Sequence, residues 1–331
     1  MGEVVVVGDA NVDIIVPFPR FIDESRTRTT WEQPQMQGGG TCANTAVALS
    51  RLDVPVLFVG TVGDDQYGRY VRRDFSEAGV DPTGLVSDSR WNTVGVFAFV
   101  DERGERYLWG WPREKQSFKE LDVSMIPMHR IRAASWVHAS GMVMAYDTSA
   151  REALIHVFEE AHAAGVPTSF DLNLRILDGK LDPAMREALD RLMPNVNYLL
   201  GSGPDEFSYM GDHADWEENA ADFAVDGRIV IVRDGARGAR ALQGKQCYKA
   251  SAFSVEVEDT LGAGDVFNAG FIMAMLHQMT LPEALTISNA VSAYTVERKG
   301  SRSSPDKQQL MTFLKAHNAS AFIHNQDNIK E

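Results

Sequence analysis

Short apolar runs rich in β-branched residues alternate along the chain with longer stretches of helical periodicity. The runs lie at 4–7, 56–59, 136–138, 168–171, 198–200 and 229–232. Between them, 42–52, 67–78, 149–164, 184–192 and 216–225 are each long enough for a crossover helix. Apolar strands separated by helices predict an α/β fold with a mostly parallel central sheet flanked by helices on both faces, and ligands at the carboxyl ends of its strands. Two segments break the pattern. Residues 12–16 and 27–36 alternate polar and apolar positions with no crossover helix, and 94–100 with 106–111 read as a hairpin turned at Glu102, Arg103 and Gly104. Together, over about 12–37 and 94–112, they predict a small β-strand flap on a single domain of residues 1–317, followed by a polar tail at 318–331.

Composition narrows the partners. With 331 residues, 44% of them hydrophobic, the chain can bury one large core. Lys and Arg number 32 against 46 Asp and Glu, a net charge of -14. Nucleic acid and anionic membrane both need a positive footprint, so neither is expected as a partner. A small anionic substrate stays open, because a nest of N–H groups with one or two Arg suffices for it. Cys42 and Cys247 lie outside any CxxC or Cys/His spacing and indicate neither a disulfide framework nor structural zinc. The first residues lack a basic segment, and their apolar run is too short for a signal or membrane span, which predicts a cytoplasmic protein.

The candidate chemistry concentrates in Asp259, Thr260, Leu261, Gly262, Ala263, Gly264 and Asp265, which open directly into a helical apolar run at 266–276. At a helix start the N–H groups have no intrahelical partners and the dipole is positive, so small residues there let a phosphate approach closely. A carboxylate beside that site would repel phosphate unless its task is to take a proton from the hydroxyl that attacks phosphorus. Asp265 is therefore a candidate general base of a phosphotransferase, with Gly262, Ala263 and Gly264 as the anion turn. No GxxxxGK[ST] occurs to supply a P-loop instead.

This DTLGAGD stretch resembles the C-terminal signature of the ribokinase-like (PfkB) carbohydrate kinases, and the similarity runs from VVVVGDANVD at the start to NAVSAYTVERKG near the end. The resemblance implies ATP-dependent transfer to a primary hydroxyl of a sugar, with Mg2+ bridging the ATP phosphates and K+ near the Asp259 loop and 298–303. It implies that Asp13 accepts hydrogen bonds from sugar hydroxyls, with Asn11 beside it, and that Gly39, Gly40 and Asn44 contact the sugar, although Thr41 and Cys42 depart from the commoner Lys-Gly or Ala-Gly. Arg233, Gly235, Gly238, Thr260 and Asn289, with Ser292, fall on the nucleotide side. Glu206 is placed to order water around magnesium. Where many relatives read N-x-x-E, Gly203 stands in the Asn position, and Asn173 or Ser202 is the replacement for its phosphate contact. The flap is implied to be a lid over the sugar and a homodimer interface.

Asp171, Asn173 and Arg175, in DLNLR, resemble the D-x-N-x-R of 2-keto-3-deoxygluconate kinases and some fructokinases. A fructose-like ketose or a keto sugar acid is thus the expected acceptor, with Arg175 on either a substrate carboxylate or the transferred phosphoryl group. Trp109, Trp111 and Arg113 either cover the sugar or pack at an interface. The alternatives are a nucleoside kinase of the same family and a non-catalytic sugar sensor; intact Asp259, Gly262, Gly264 and Asp265 argue against the sensor. GGGTCA formally satisfies a dinucleotide fingerprint, but Trp31, Glu32, Gln33, Pro34 and Gln35 before it do not make the buried strand that motif requires. His138 is assigned no role.

Overall fold

The computed structural model describes residues 2–17, 33–101, 106–176 and 178–319. In chain order its strands are β1 (Val4–Val7), β2 (Asn11–Pro17), β3 (Gln35–Gly39), β4 (Val56–Gly63), β5 (Asp81–Asp88), β6 (Gly95–Val100), β7 (Arg106–Trp111), β8 (Trp136–Ser140), β9 (Thr168–Asp171), β10 (Tyr198–Ser202), β11 (Ile229–Arg233), β12 (Ala239–Gln243) and β13 (Gln246–Ala250). The helices are α1 (Thr41–Arg51), α2 (Gln66–Glu77), α3 (Met128–Ala133), α4 (Ser149–Ala163), α5 (Pro183–Leu192), α6 (Gly203–Glu206), α7 (Trp216–Asp222), α8 (Ala263–Leu276), α9 (Leu281–Val296) and α10 (Lys307–Ala316).

Nine strands form one sheet in the order β13-β12-β11-β10-β9-β8-β1-β4-β5, parallel from β11 to β5, with β12 and β13 added antiparallel. β1 shows why its sequence is an unbroken run of valine. Val4 and Val6 enter the core shared with α1, α8 and α9, while Val5 and Val7 enter the core shared with α4 and α5. A strand buried on both faces has no polar face to present. From β1 the chain steps outward to β4 and β5 on one side and to β8, β9, β10 and β11 on the other. Strand order therefore reverses at β1, and the crevice at the carboxyl ends of β1 and β8 is where such sheets take ligands.

A separate four-stranded sheet has the order β3-β2-β6-β7, as the alternating segments predict. Direct partners across a sheet share a face. Asp13 pairs with Gln37 and Val96; Ile14 pairs with Met36 and Phe97, and Phe97 with Trp109. Asp13 and Gln37 thus line one face, while Ile14, Met36, Phe97 and Trp109 line the other. Trp109 is turned away from the Asp13 face, which speaks against its reading as a cover over the sugar.

The remaining differences are local. β5, reading DPTGLVSD, carries the Asp, Pro and Gly of a turn, yet it extends as the edge strand beside β4, where proline is tolerated. The expected strand at 27–36 is seen only from Gln35, and 18–32, the turn at Glu102, Arg103 and Gly104, and the tail from 320 onward lie outside the described residues. Among the described residues no helix is long and apolar enough to cross a membrane.

Candidate active site

The turn before α8 is held from both sides. The Asp259 carboxylate accepts from the N–H of Leu261 at 2.8 Å and from the N–H of Gly300 at 2.8 Å, tying the turn to the loop after α9. Gly262 is left-handed, with φ 77°, and a Cβ there would lie 2.7 Å from Ser301 Cβ, so only glycine fits. α8 begins without a side-chain cap. The N–H of Ala263 bonds to the Thr260 carbonyl at 3.2 Å, while Thr260 itself is exposed.

Asp265 follows on the first turn of α8 and is buried. Asn44 Nδ2 donates to its Oδ2 at 2.8 Å, and Thr45 Oγ1 donates to its backbone carbonyl at 3.0 Å, which locks α1 to α8. Burial pushes the Asp265 carboxyl well above the usual carboxylate range; the Asn44 bond and Arg233 pull it down, and Asp171 and Asp9 add to the rise.

On the β1 side, Asp9 caps α1, accepting from Thr41 N at 2.9 Å and Cys42 N at 3.2 Å. Asn11 Nδ2 donates to Asp13 Oδ1 at 3.2 Å. The glycine run lets Asp13 lie flat against β3, since a Cβ on Gly39 would come within 2.5 Å of the Asp13 carboxylate. Gly40 has φ 103°. Arg302, which sequence reasoning missed, is largely enclosed behind this run; it donates to the Gly38 carbonyl at 3.0 Å, the Ala43 carbonyl at 2.7 Å and Asp74 at 3.1 Å. Nothing in the pattern of its KGSRSS surroundings marks it.

Four buried polar atoms here lack a protein partner: Asn44 Oδ1, Asn173 Oδ1, Ser301 Oγ and Gln37 Nε2. They belong together, because Ser301 faces Gly262, Gln37 faces Gly300, and Asn173 donates to Thr41 Oγ1 at 3.2 Å. Buried polar groups in proteins are as a rule paired, and although Arg51 Nε, Ser117 Oγ and His138 Nε2 also lack partners elsewhere, a cluster of unpaired ones is what a polyhydroxylated ligand would satisfy. Asn173, expected on the nucleotide side, sits against the start of α1.

A second network lies deeper. Arg233 forks onto Asp171 at 2.6 and 3.1 Å and also reaches Asn268 Oδ1 at 2.8 Å, the Gly264 carbonyl at 3.3 Å and Glu206 at 3.4 Å. Asn268 Nδ2 returns a bond to Asp171 at 2.7 Å. Glu206 accepts from Ser202 N at 2.6 Å and Leu174 N at 2.8 Å, and burial, with Asp171 nearby, raises its proton affinity. Arg175, by contrast, is exposed at the end of β9, its guanidinium against Met142 Sδ at 3.0 Å, and among the described residues it forms no ion pair.

Gly238 and Asn289 converge on one stretch of backbone. A Cβ on Gly238 would lie 2.1 Å from the Ala250 carbonyl, to which Asn289 Nδ2 donates at 3.1 Å. Gly235, with φ 53°, has open space before it. Ser292 Oγ donates to the Ala263 carbonyl at 3.2 Å. His138 is wholly buried, its Nδ1 on Ser169 Oγ at 2.8 Å; burial lowers its pKa to about 4, so it stays neutral.

A family model, pfkB family carbohydrate kinase, matches residues 1–308. The chain is 34% identical over 316 residues to the ATP-dependent ribose-1-phosphate kinase of Halopiger xanaduensis, covering 95% of this chain and 98% of that one. It is 28% identical to the aminoimidazole riboside kinase of Salmonella typhimurium, covering 96% of each chain, and 25% identical to a 5-dehydro-2-deoxygluconokinase of Lacticaseibacillus casei, covering 94% and 95%. Among solved structures, a fructokinase with bound ATP from Xylella fastidiosa superposes with a TM-score of 0.82 at 23% identity, covering 96% of this chain and 99% of that one. A putative ribokinase II from E. coli in complex with ATP and Mg2+ gives 0.84 at 23%, covering 96% and 100%. The chain belongs to the pfkB family of carbohydrate kinases, phosphotransferases that act on the hydroxyl group of a sugar or nucleoside.

Proposed function

We propose that this kinase transfers the γ-phosphoryl group of ATP to a primary hydroxyl of a sugar carrying an anionic group, with Asp265 as the general base. The observation that carries this reading is the buried Asp265 carboxylate, held by Asn44 beside an uncapped helix start whose Gly262 admits no side chain. The proton of the hydroxyl passes to Asp265, the oxygen bonds to the γ-phosphorus, and the bond from that phosphorus to the β,γ-bridging oxygen breaks, releasing ADP. The amides of Gly262 and Gly264 stabilise the charge developing on the phosphoryl oxygens. Asp13, Asn11, Asn44 and the Gly39–Gly40 backbone hold the sugar hydroxyls; Gly235, Gly238 and Asn289 form the floor of the nucleotide site.

Magnesium bound on ATP offsets phosphate charge. Among the described residues no group of three or more His, Cys, Asp or Glu is placed to hold a metal ion. Glu206, already bonded by two amides, fits a water-mediated contact only. The Asp259–Gly300 link is the place for potassium, checked by exchanging KCl for NaCl in the assay. ATP as donor suits a cytoplasmic protein, and the aromatic face of the small sheet suits a homodimer.

Arg175 supports the anionic acceptor: two residues beyond Asn173, its guanidinium is exposed and forms no ion pair among the described residues. A keto sugar acid matches its DLNLR setting, and a sugar phosphate matches the function of the Halopiger relative; a neutral ketose leaves the guanidinium unused. ADP release measured on fructose, 2-keto-3-deoxygluconate, ribose 1-phosphate, ribose and aminoimidazole riboside tests this directly. Preference for a neutral sugar or a riboside overturns the anionic acceptor. Arg175→Lys lowers kcat/KM on the preferred anion more than on its neutral analogue, because lysine cannot reproduce the planar fork; equal losses on both sink that role.

A further inference from the structure

We propose that Arg233 is a positioning residue for phosphoryl transfer, holding the anion turn and Asp265 in register through its fork on Asp171 and its bond to the Gly264 carbonyl. The proposal rests on the assignment of Asp265 as base. Arg233 ends β11, and its guanidinium is almost entirely enclosed, with 14% of the side chain exposed. Its partners come from three elements other than its own strand: Asp171 from β9, Glu206 from α6, and Gly264 and Asn268 from the first two turns of α8. A Cβ added to Gly264 would lie 3.2 Å from Nη1, so the turn rests on the guanidinium. Burial opposes the charge on Arg233, but Asp171 more than offsets it, and the cation is retained. The fork requires a planar guanidinium, which lysine does not provide. Displacing a catalytic carboxylate by about 1 Å costs roughly 10²-fold in rate.

The charged groups facing Asp265 are Asp9 from the end of β1, Asp171, Arg233, and Arg302 from the loop before α10; the Cys42 thiol of α1, raised by burial, stays neutral. Asp171 raises the proton affinity of Asp265 and Arg233 lowers it.

Steady-state kinetics on Arg233→Lys, Arg233→Met and Asp171→Asn test the proposal. Arg233→Met loses roughly 10²-fold in kcat and Arg233→Lys roughly 10-fold, with KM for ATP and sugar within about 3-fold of wild type. Asp171→Asn moves the acid limb of kcat/KM to lower pH, a change that a purely structural role would not produce. Wild-type kcat in folded Arg233→Lys, a loss confined to KM, or an unmoved acid limb in Asp171→Asn overturns it. If Arg233→Met does not fold, the lysine variant still decides. Asp265→Asn, assayed alongside, separates the two claims: an active Asp265→Asn removes the base assignment, whereas an inactive one beside a fully active Arg233→Lys removes only the positioning role.

Discussion

Asp265 carries two opposed demands, and both can be measured. As a general base it has to be ionised, yet its burial favours the protonated form. The folded protein therefore holds this proton to a higher pH than the unfolded chain does. The stability it contributes is full below the unfolded pKa and is lost as pH rises through the raised folded value, so at neutral pH the ionised carboxylate costs stability. Asp265→Asn removes that cost while keeping size and the contact with Asn44. Its turnover falls by roughly 10²–10⁴-fold, and its Tm at pH 7 rises, by about 2–4 °C for each kcal/mol recovered. A variant with half the wild-type rate ends the base assignment; a Tm lower than wild type ends the account of its burial. The same raised pKa places the acid limb of kcat/KM above the ~4 of an ordinary aspartate. A limb at the ordinary value contradicts the burial argument.

At the scale of elements, the turn into α8 is the feature on which fold and site meet. Gly262→Ala puts a Cβ into left-handed backbone and 2.7 Å from Ser301. The strain and contact cost about 1–3 kcal/mol, so Tm drops and kcat falls together, whereas Gly235→Ala, with open space at its φ of 53°, costs strain without a clash and leaves kcat closer to wild type. Equal kcat losses in the two variants contradict the fit of Gly262. This turn was legible in the sequence because local chemistry dictates it: small residues, a carboxylate and an apolar helical run follow one another within a few positions. The strands buried on both faces were legible for the same reason, as Val4–Val7 shows. What escaped was set by distant contacts. β5 is a strand only because β4 lies beside it, Arg302 matters only because Gly38 and Ala43 fold back over it, and the Arg233–Asp171–Asn268 network joins residues 62 and 35 positions apart. Asp171 was visible as part of DLNLR, but nothing local pointed to the arginine that holds it.

At the scale of the whole molecule, the small sheet has two unlike faces. One presents Asp13 and Gln37, the other a ladder of Ile14, Met36, Phe97, Phe99, Tyr107 and Trp109. Phe97 and Trp109 pack with ring centroids 5.7 Å apart, and Phe99 and Tyr107 at 6.5 Å, so the rings form a continuous apolar surface. Tyr107 remains 71% exposed and Trp109 46%. Contiguous exposed aromatics of this kind are the usual mark of an association surface. A second copy is its proposed occupant, since the ladder can pair with itself about a two-fold axis. Trp109→Glu places a charge in the middle of that surface and weakens the dimer by at least about 2 kcal/mol, roughly 30-fold in Kd, read by sedimentation velocity across a dilution series. Because Trp109 faces away from Asp13, the freshly diluted variant keeps its KM for sugar unless closure of the flap depends on the second copy, in which case KM rises in step with the monomer fraction. A wild-type protein that is monomeric at micromolar concentration, or a Trp109→Glu variant that dimerises unchanged, removes the dimer reading.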